Sequence, residues 1–159
     1  MTLKMIFLVE YPPLATNDVA SILENDVDTT IESWLGLVEH DEELTCVYLS
    51  AQDRIRHLPQ LFRDLVNRLR LPAESTPSFS IAAREHGAIR RRQGYTSAML
   101  VEEWRILEVS IFTTIHNNLW GLDLSTVLLD VTTIAAECDS QLKQAMLSYV
   151  EPASSLSTA

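Results

Sequence analysis

His86, Arg90 and Gln93 stand at i, i+4 and i+7, so on a helix an imidazole, a guanidinium and a carboxamide share one face. Gly94 stops that helix, and Glu102 and Glu103 fall in the first two turns of the next one. In a helical hairpin the glutamates return toward the Arg90 to Gln93 end, which assembles a cluster of His86, Arg90, Gln93 and Glu103. Such a cluster can hold a structural ion pair that fixes the hairpin, or serve as a functional site with Tyr95 and Trp104 as the aromatic wall of a pocket beside His86.

The chemistry open to these residues is narrow. His86 and Glu103 could act as acid and base, but the chain offers no nucleophile elbow, metal set or substrate-binding loop, so no catalysis is expected. Axial ligation of haem by His86 is the alternative cofactor reading. His40, His57, His86 and His116 give no pair at ligand spacing on one helix, and no metal site is expected. Cys46 and Cys138 lie far apart without a zinc pattern and read as buried, inert thiols. Arg90-Arg91-Arg92 spans most of a helical turn, so at least one of the three must face solvent or an acidic partner. Gly87, inside a helix, costs about 1 kcal/mol relative to alanine and points to a close approach by another helix or a ligand.

The elements that position these groups are read from apolar spacing. From Thr16 or Asn17, Val19, Ile22, Leu23, Val27, Ile31, Trp34, Leu35 and Val38 recur every three or four residues, which predicts one long helix ending at His40-Asp41-Glu42-Glu43. Ser50 and Asp53 mark a short helix after a connector. Pro59 suits the first turn of a helix carrying Leu58, Leu61, Phe62, Leu65, Val66 and Leu69. Thr76-Pro77 is expected to cap the next, with Phe79, Ala82, Ala83, His86 and Ile89 in its stripe. After the Gly94 turn come Leu100, Trp104, Leu107, Ile111 and Ile115, and from about Leu122 to Ser125 a last helix runs toward Pro152. The expected fold is all-α, an antiparallel helical bundle of four long helices plus one or two short ones. Residues 16–151 form its single domain, with 1–15 as an N-terminal extension and 152–159 as a tail.

The 159 residues suit one domain, with 47% hydrophobic and 21% charged residues as in a globular protein. Met5 to Val9, the longest apolar opening run, is too short for a membrane span or a signal-peptide core, so no membrane insertion and a cytoplasmic location are expected. The net charge of -10 argues against nucleic acid as a partner. It is unevenly spread: residues 1 to 53 carry eleven acids and one lysine, 54 to 105 ten arginines and five acids, and 106 to 159 six acids and one lysine. A basic centre between acidic ends is suited to charge complementarity with the outer helices or with a partner, and equally to solvated helix faces.

The pattern Ala82-Ala83-x-x-His86-Gly87-x-x-Arg90-x-x-Gln93-Gly94-Tyr95, continued by Leu100-Val101-x-Glu103-Trp104-x-x-Leu107, resembles the signature of the RsbRD N-terminal domain family, named from RsbT co-antagonist proteins. Trp34 and Leu58-Pro59-x-Leu61 fit it too, and the resemblance covers residues 17 to 150. It implies a bacterial cytosolic all-helical regulatory module, placed ahead of a histidine-kinase core or a stress-signalling output domain and not itself an enzyme. His86, Arg90, Gln93 and Glu103 are its matching polar positions. Glu108 departs from the pattern, since an arginine commonly stands there, and the reversed charge weakens the carry-over of an anion site. The chain reads as a stand-alone member or a fragment of a sensor protein. The expected function is sensory or regulatory, exerted on a protein partner and through a homodimer. The alternative is a small-ligand or haem sensor with its pocket near His86.

Overall fold

The computed structural model describes residues 18–151, and every regular element among them is helical. The expected extension over 1–15, the Met5 to Val9 run and the tail over 152–159 lie outside the described residues. In chain order the helices are α1 (Val19–Asn25), α2 (Val27–Glu39), α3 (Glu42–Thr45), α4 (Ala51–Ile55), α5 (Leu58–Leu69), α6 (Ile81–Arg92), α7 (Ser97–Asn117) and α8 (Leu124–Val150), with a 3-10 turn at Leu119–Gly121.

The single long helix expected up to Val38 is two helices. Asp26, at φ -101° and ψ 15°, interrupts it. Asparagine and aspartate compete for backbone hydrogen bonds, and the Asn25-Asp26 pair supplies both at the break. The Asp26 carboxylate accepts from Asn118 Nδ2 at 3.1 Å, and its carbonyl accepts from the Thr30 amide at 2.9 Å, so the interruption is local. Ile22, Leu23, Ile31, Trp34 and Val38 all remain buried, which keeps the apolar face in register across it. Asp18 caps α1 by accepting from the Ser21 amide.

The acids of Asp41-Glu42-Glu43, awkward at the negative end of α2, open a new helix instead. Asp41 caps α3 by accepting from the Leu44 amide at 2.9 Å, and Glu42 and Glu43 occupy its first turn, where carboxylates are favoured. Ser50 caps α4 as its spacing to Asp53 suggests. Between α5 and α6 the cap is Ser80, which accepts from the Ala83 amide at 3.1 Å, and not Thr76-Pro77. Phe79 therefore precedes the helix and is 69% exposed, outside the stripe assigned to it.

α6 lies along α8, α7 packs on α2 and α8, and α5 on α1 and α8. Trp34, Leu44, Leu61, Leu65, Leu100, Ile111 and Ile134 belong to one continuous apolar core. At Gly87 a Cβ would lie 1.9 Å from the Ala145 carbonyl oxygen, so the missing side chain lets α6 approach the backbone of α8. Close helix packing, not a ligand, explains this glycine. No described helix is long and apolar enough to cross a membrane.

Candidate functional site

The hairpin of α6 and α7 is built by its turn. Gly94 adopts φ +95°, the Tyr95 amide donates to the Arg90 carbonyl at 3.0 Å and the Gly94 amide to the Arg91 carbonyl at 3.1 Å. That pair of bonds is the Schellman termination, which needs a left-handed residue where glycine stands. Thr96 then caps α7 by accepting from the Met99 amide, and the chain returns with Glu103 opposite His86 and Arg90.

Glu103 is the hub. Its Oε1 accepts from Arg90 Nη2 at 2.8 Å, and its Oε2 from His86 Nε2 at 2.9 Å and Arg90 Nε at 3.0 Å. His86, Arg90 and Glu103 are each no more than 2% exposed. Burial alone would push the Glu103 carboxyl up in pKa, but the charges and hydrogen bonds of His86 and Arg90 hold it down at about 2. The carboxylate is thus ionised and can only accept, so His86 Nε2 donates to it.

Arg90 uses its remaining donors on Gln93 Oε1 at 2.8 Å, the Arg54 carbonyl at 2.8 Å and the Asp53 carbonyl at 3.2 Å. All four polar positions read from the sequence are therefore joined. Arg54 and Tyr95 complete the network. Buried Arg54 donates to the Tyr95 hydroxyl at 2.9 Å and to the Leu44 and Val47 carbonyls, tying α3 and α4 to the hairpin. The Tyr95 hydroxyl reaches Glu103 Oε1 at 3.4 Å, and burial together with the Glu103 charge pushes its pKa up to about 12. Across α2, Trp34 Nε1 donates to the Glu103 carbonyl at 3.2 Å.

Two further rings frame His86. His57 stands edge-on at 5.6 Å between ring centres and Trp104 at 5.3 Å. Burial, then the neighbouring charges of His86, Arg56 and Arg90, lower the His57 pKa to about 4. His86 Nδ1 and Trp104 Nε1 are buried without a hydrogen-bond partner. Tyr95 and Trp104, read as a pocket wall, are each 3% exposed and packed in the core. Three clefts among the described residues, of about 350, 310 and 270 Å³, are lined elsewhere, the first by α1 and α5 around Leu23, Val27, Phe62 and Val66. None of the three is lined by His86, Tyr95 or Trp104.

The three arginines divide as their spacing requires. Arg90 is buried and Arg92 exposed, while Arg91 donates to the Tyr149 and Glu151 carbonyls at the C-terminal end of α8. Glu102 pairs only with Arg105 on the exposed side of α7. Glu108 is half-buried, with its pKa raised by burial and by the negative charge of Asp139 of α8. Cys46 is exposed, against the expectation of two buried thiols, because it lies just after α3 with its sulfur on the Glu42 carbonyl. Cys138 is buried, and burial raises its pKa. No group of three or more His, Cys, Asp or Glu placed to hold a metal occurs among the described residues.

Sequence reasoning missed Arg54 and His57. Each belongs to the mostly polar run 52–57 on or beside a short helix, with no local spacing that links it to positions 86 to 103. It also missed a second buried group that secures the chain between α5 and α6. There Arg68 donates to the Pro72, Ala73 and Ser75 carbonyls, and Glu137 accepts from the Ser78 amide.

No protein-family model, curated protein or solved structure matches this chain.

Proposed function

We propose that this chain is a non-catalytic regulatory module of the RsbRD N-terminal type, built as an antiparallel helical bundle. It acts through protein partners, a second copy of itself among them, as a cytoplasmic input to bacterial stress or histidine-kinase signalling. One observation carries the reading. The four polar positions that carry the resemblance turn inward on one another, with His86, Arg90 and Glu103 nearly sealed from solvent. Groups that must meet a substrate need access to it, whereas groups that bridge α4, α6 and α7 set the geometry of a scaffold.

A second reading, a small-ligand or haem sensor at His86, draws on the two buried ring nitrogens, His86 Nδ1 and Trp104 Nε1, that lack partners. Native mass spectrometry of the gently purified intact chain separates the two. The module reading expects a dimer, twice the mass of the 17.9 kDa chain, with nothing added. A stoichiometric added mass, lost in His86→Gln, would overturn it in favour of the ligand sensor.

A further inference from the structure

The cleft of about 350 Å³ has two walls. The end of α1 and the first residue of α2 give Leu23 and Val27, and α5 gives Phe62 and Val66. Phe62 and Val66 are one helical turn apart, as are Arg63 and Asn67, so α5 offers an apolar row beside a polar one. Leu23, Phe62 and Val66 belong to the core and Val27 packs against it, whereas Arg63 and Asn67 are exposed at the rim. An occupant thus reaches an apolar floor from solvent without opening the fold.

The rim selects the charge of that occupant. Glu24 lines the cleft too, but its carboxylate is held by Arg70 through bonds of 3.2 and 2.5 Å. The cations of the other two clefts are spent in the same way, Arg70 on Glu24 and Arg105 on Glu102. Arg63 has no ion pair among the described residues. Its guanidinium and the Asn67 carboxamide place N–H donors on one edge of the cleft, which suits the two oxygens of a carboxylate.

Size narrows the choice further. At about 30 Å³ per non-hydrogen atom, the share of one water in the liquid, a cleft of about 350 Å³ holds roughly a dozen such atoms. An apolar lining with a few polar groups at one edge is the usual form of a small-molecule site. The Phe62 ring in the floor favours an aromatic body, since aromatic pairs gain beyond the area they bury.

We infer that this cleft binds a small aryl-alkyl carboxylate, its ring on Phe62 and Val66 and its carboxylate on Arg63. The site shares no residue with the His86 cluster and would stand whether or not the chain is a regulatory module.

Amide chemical-shift titration of the full chain tests this with three probes of one shape: 3-phenylpropionate, 3-phenylpropan-1-ol and 3-phenylpropylamine. The expected result is saturable shifts at Leu23, Val27, Phe62 and Val66 with the acid, binding about threefold or more tighter than the alcohol, and the amine weakest. Arg63 is exposed, so its replacement leaves the core untouched. In Arg63→Gln the preference for the acid over the alcohol is expected to disappear, and in Arg63→Lys to be largely retained. Absence of saturable shifts, or equal binding of acid and alcohol to the parent chain, would overturn the assignment. Shifts centred on His86 and Trp104 would also overturn it, by giving the ligand to the buried cluster.

Discussion

Arg90 and Glu103 meet inside the protein through hydrogen bonds of 2.8, 3.0 and 3.1 Å, on facing arms of the α6–α7 hairpin. The neighbouring glutamate has no part in it: Glu102 pairs with Arg105 at the surface. Removing one member of a buried pair strands the other charge, at a cost of about 3–5 kcal/mol. Glu103→Ala is therefore expected to lower stability by that order, and Glu102→Ala to leave the urea midpoint near that of the parent protein. Equal, small effects would contradict the pairing.

Two glycines give opposite outcomes for one substitution. Alanine is worth about 1 kcal/mol more than glycine in a helix interior. At Gly36 of α2 nothing stands within 4 Å of an added Cβ, so Gly36→Ala is expected to raise the melting temperature. At Gly87 the Cβ meets the Ala145 backbone, and overpacking of about 1–3 kcal/mol or more outweighs the propensity gain, so Gly87→Ala is expected to lower it. Shifts of the same sign in thermal melts would refute the close contact of α6 with α8.

The turn itself is testable at Gly94. Its φ of +95° is strained for alanine, and the space around it is open, so the cost of Gly94→Ala is conformational, about 1–2 kcal/mol. Gly94→Asn is expected to retain part of the loss, because asparagine tolerates positive φ better. Chemical denaturation of the two variants checks the order.

Much of this arrangement was legible in the sequence because it is local. The spacing of His86, Arg90 and Gln93 and the Gly94 stop define one hairpin, and Glu103 follows from its return. The apolar period also marked α5, α7 and α8. What was not legible depends on contacts distant in the chain or on competition between neighbouring signals. The stripe from Val19 to Val38 continues through Asp26 and so hides the break between α1 and α2. Arg54 joins the cluster only because α4 is folded against α6, and the burial of Tyr95 and Trp104 is a property of the packed core.

His57 makes stability depend on pH. Its folded value of about 4 lies below its ordinary 6.5, so between these the unfolded chain binds a proton that the folded chain excludes. Stability is therefore expected to rise with pH from about 4 to 6.5 and then level off. Glu103, held at about 2 against an ordinary 4.5, adds a loss below pH 4.5 as the pH falls toward 2. His57→Gln is expected to flatten the upper part of the profile and leave the lower part. An unchanged slope between pH 5 and 6.5 in urea titrations would contradict the assignment.

The most direct test of a sealed cluster held by its buried ion pair is a double-mutant cycle between Arg90 and Glu103, read by equilibrium unfolding of Arg90→Met, Glu103→Leu and the combined variant. The predicted result is a coupling of about 3 kcal/mol or more, with the double variant more stable than either single one, since neither charge is then left buried alone. Additive losses would contradict the account and mean that the two side chains reach solvent or a ligand independently.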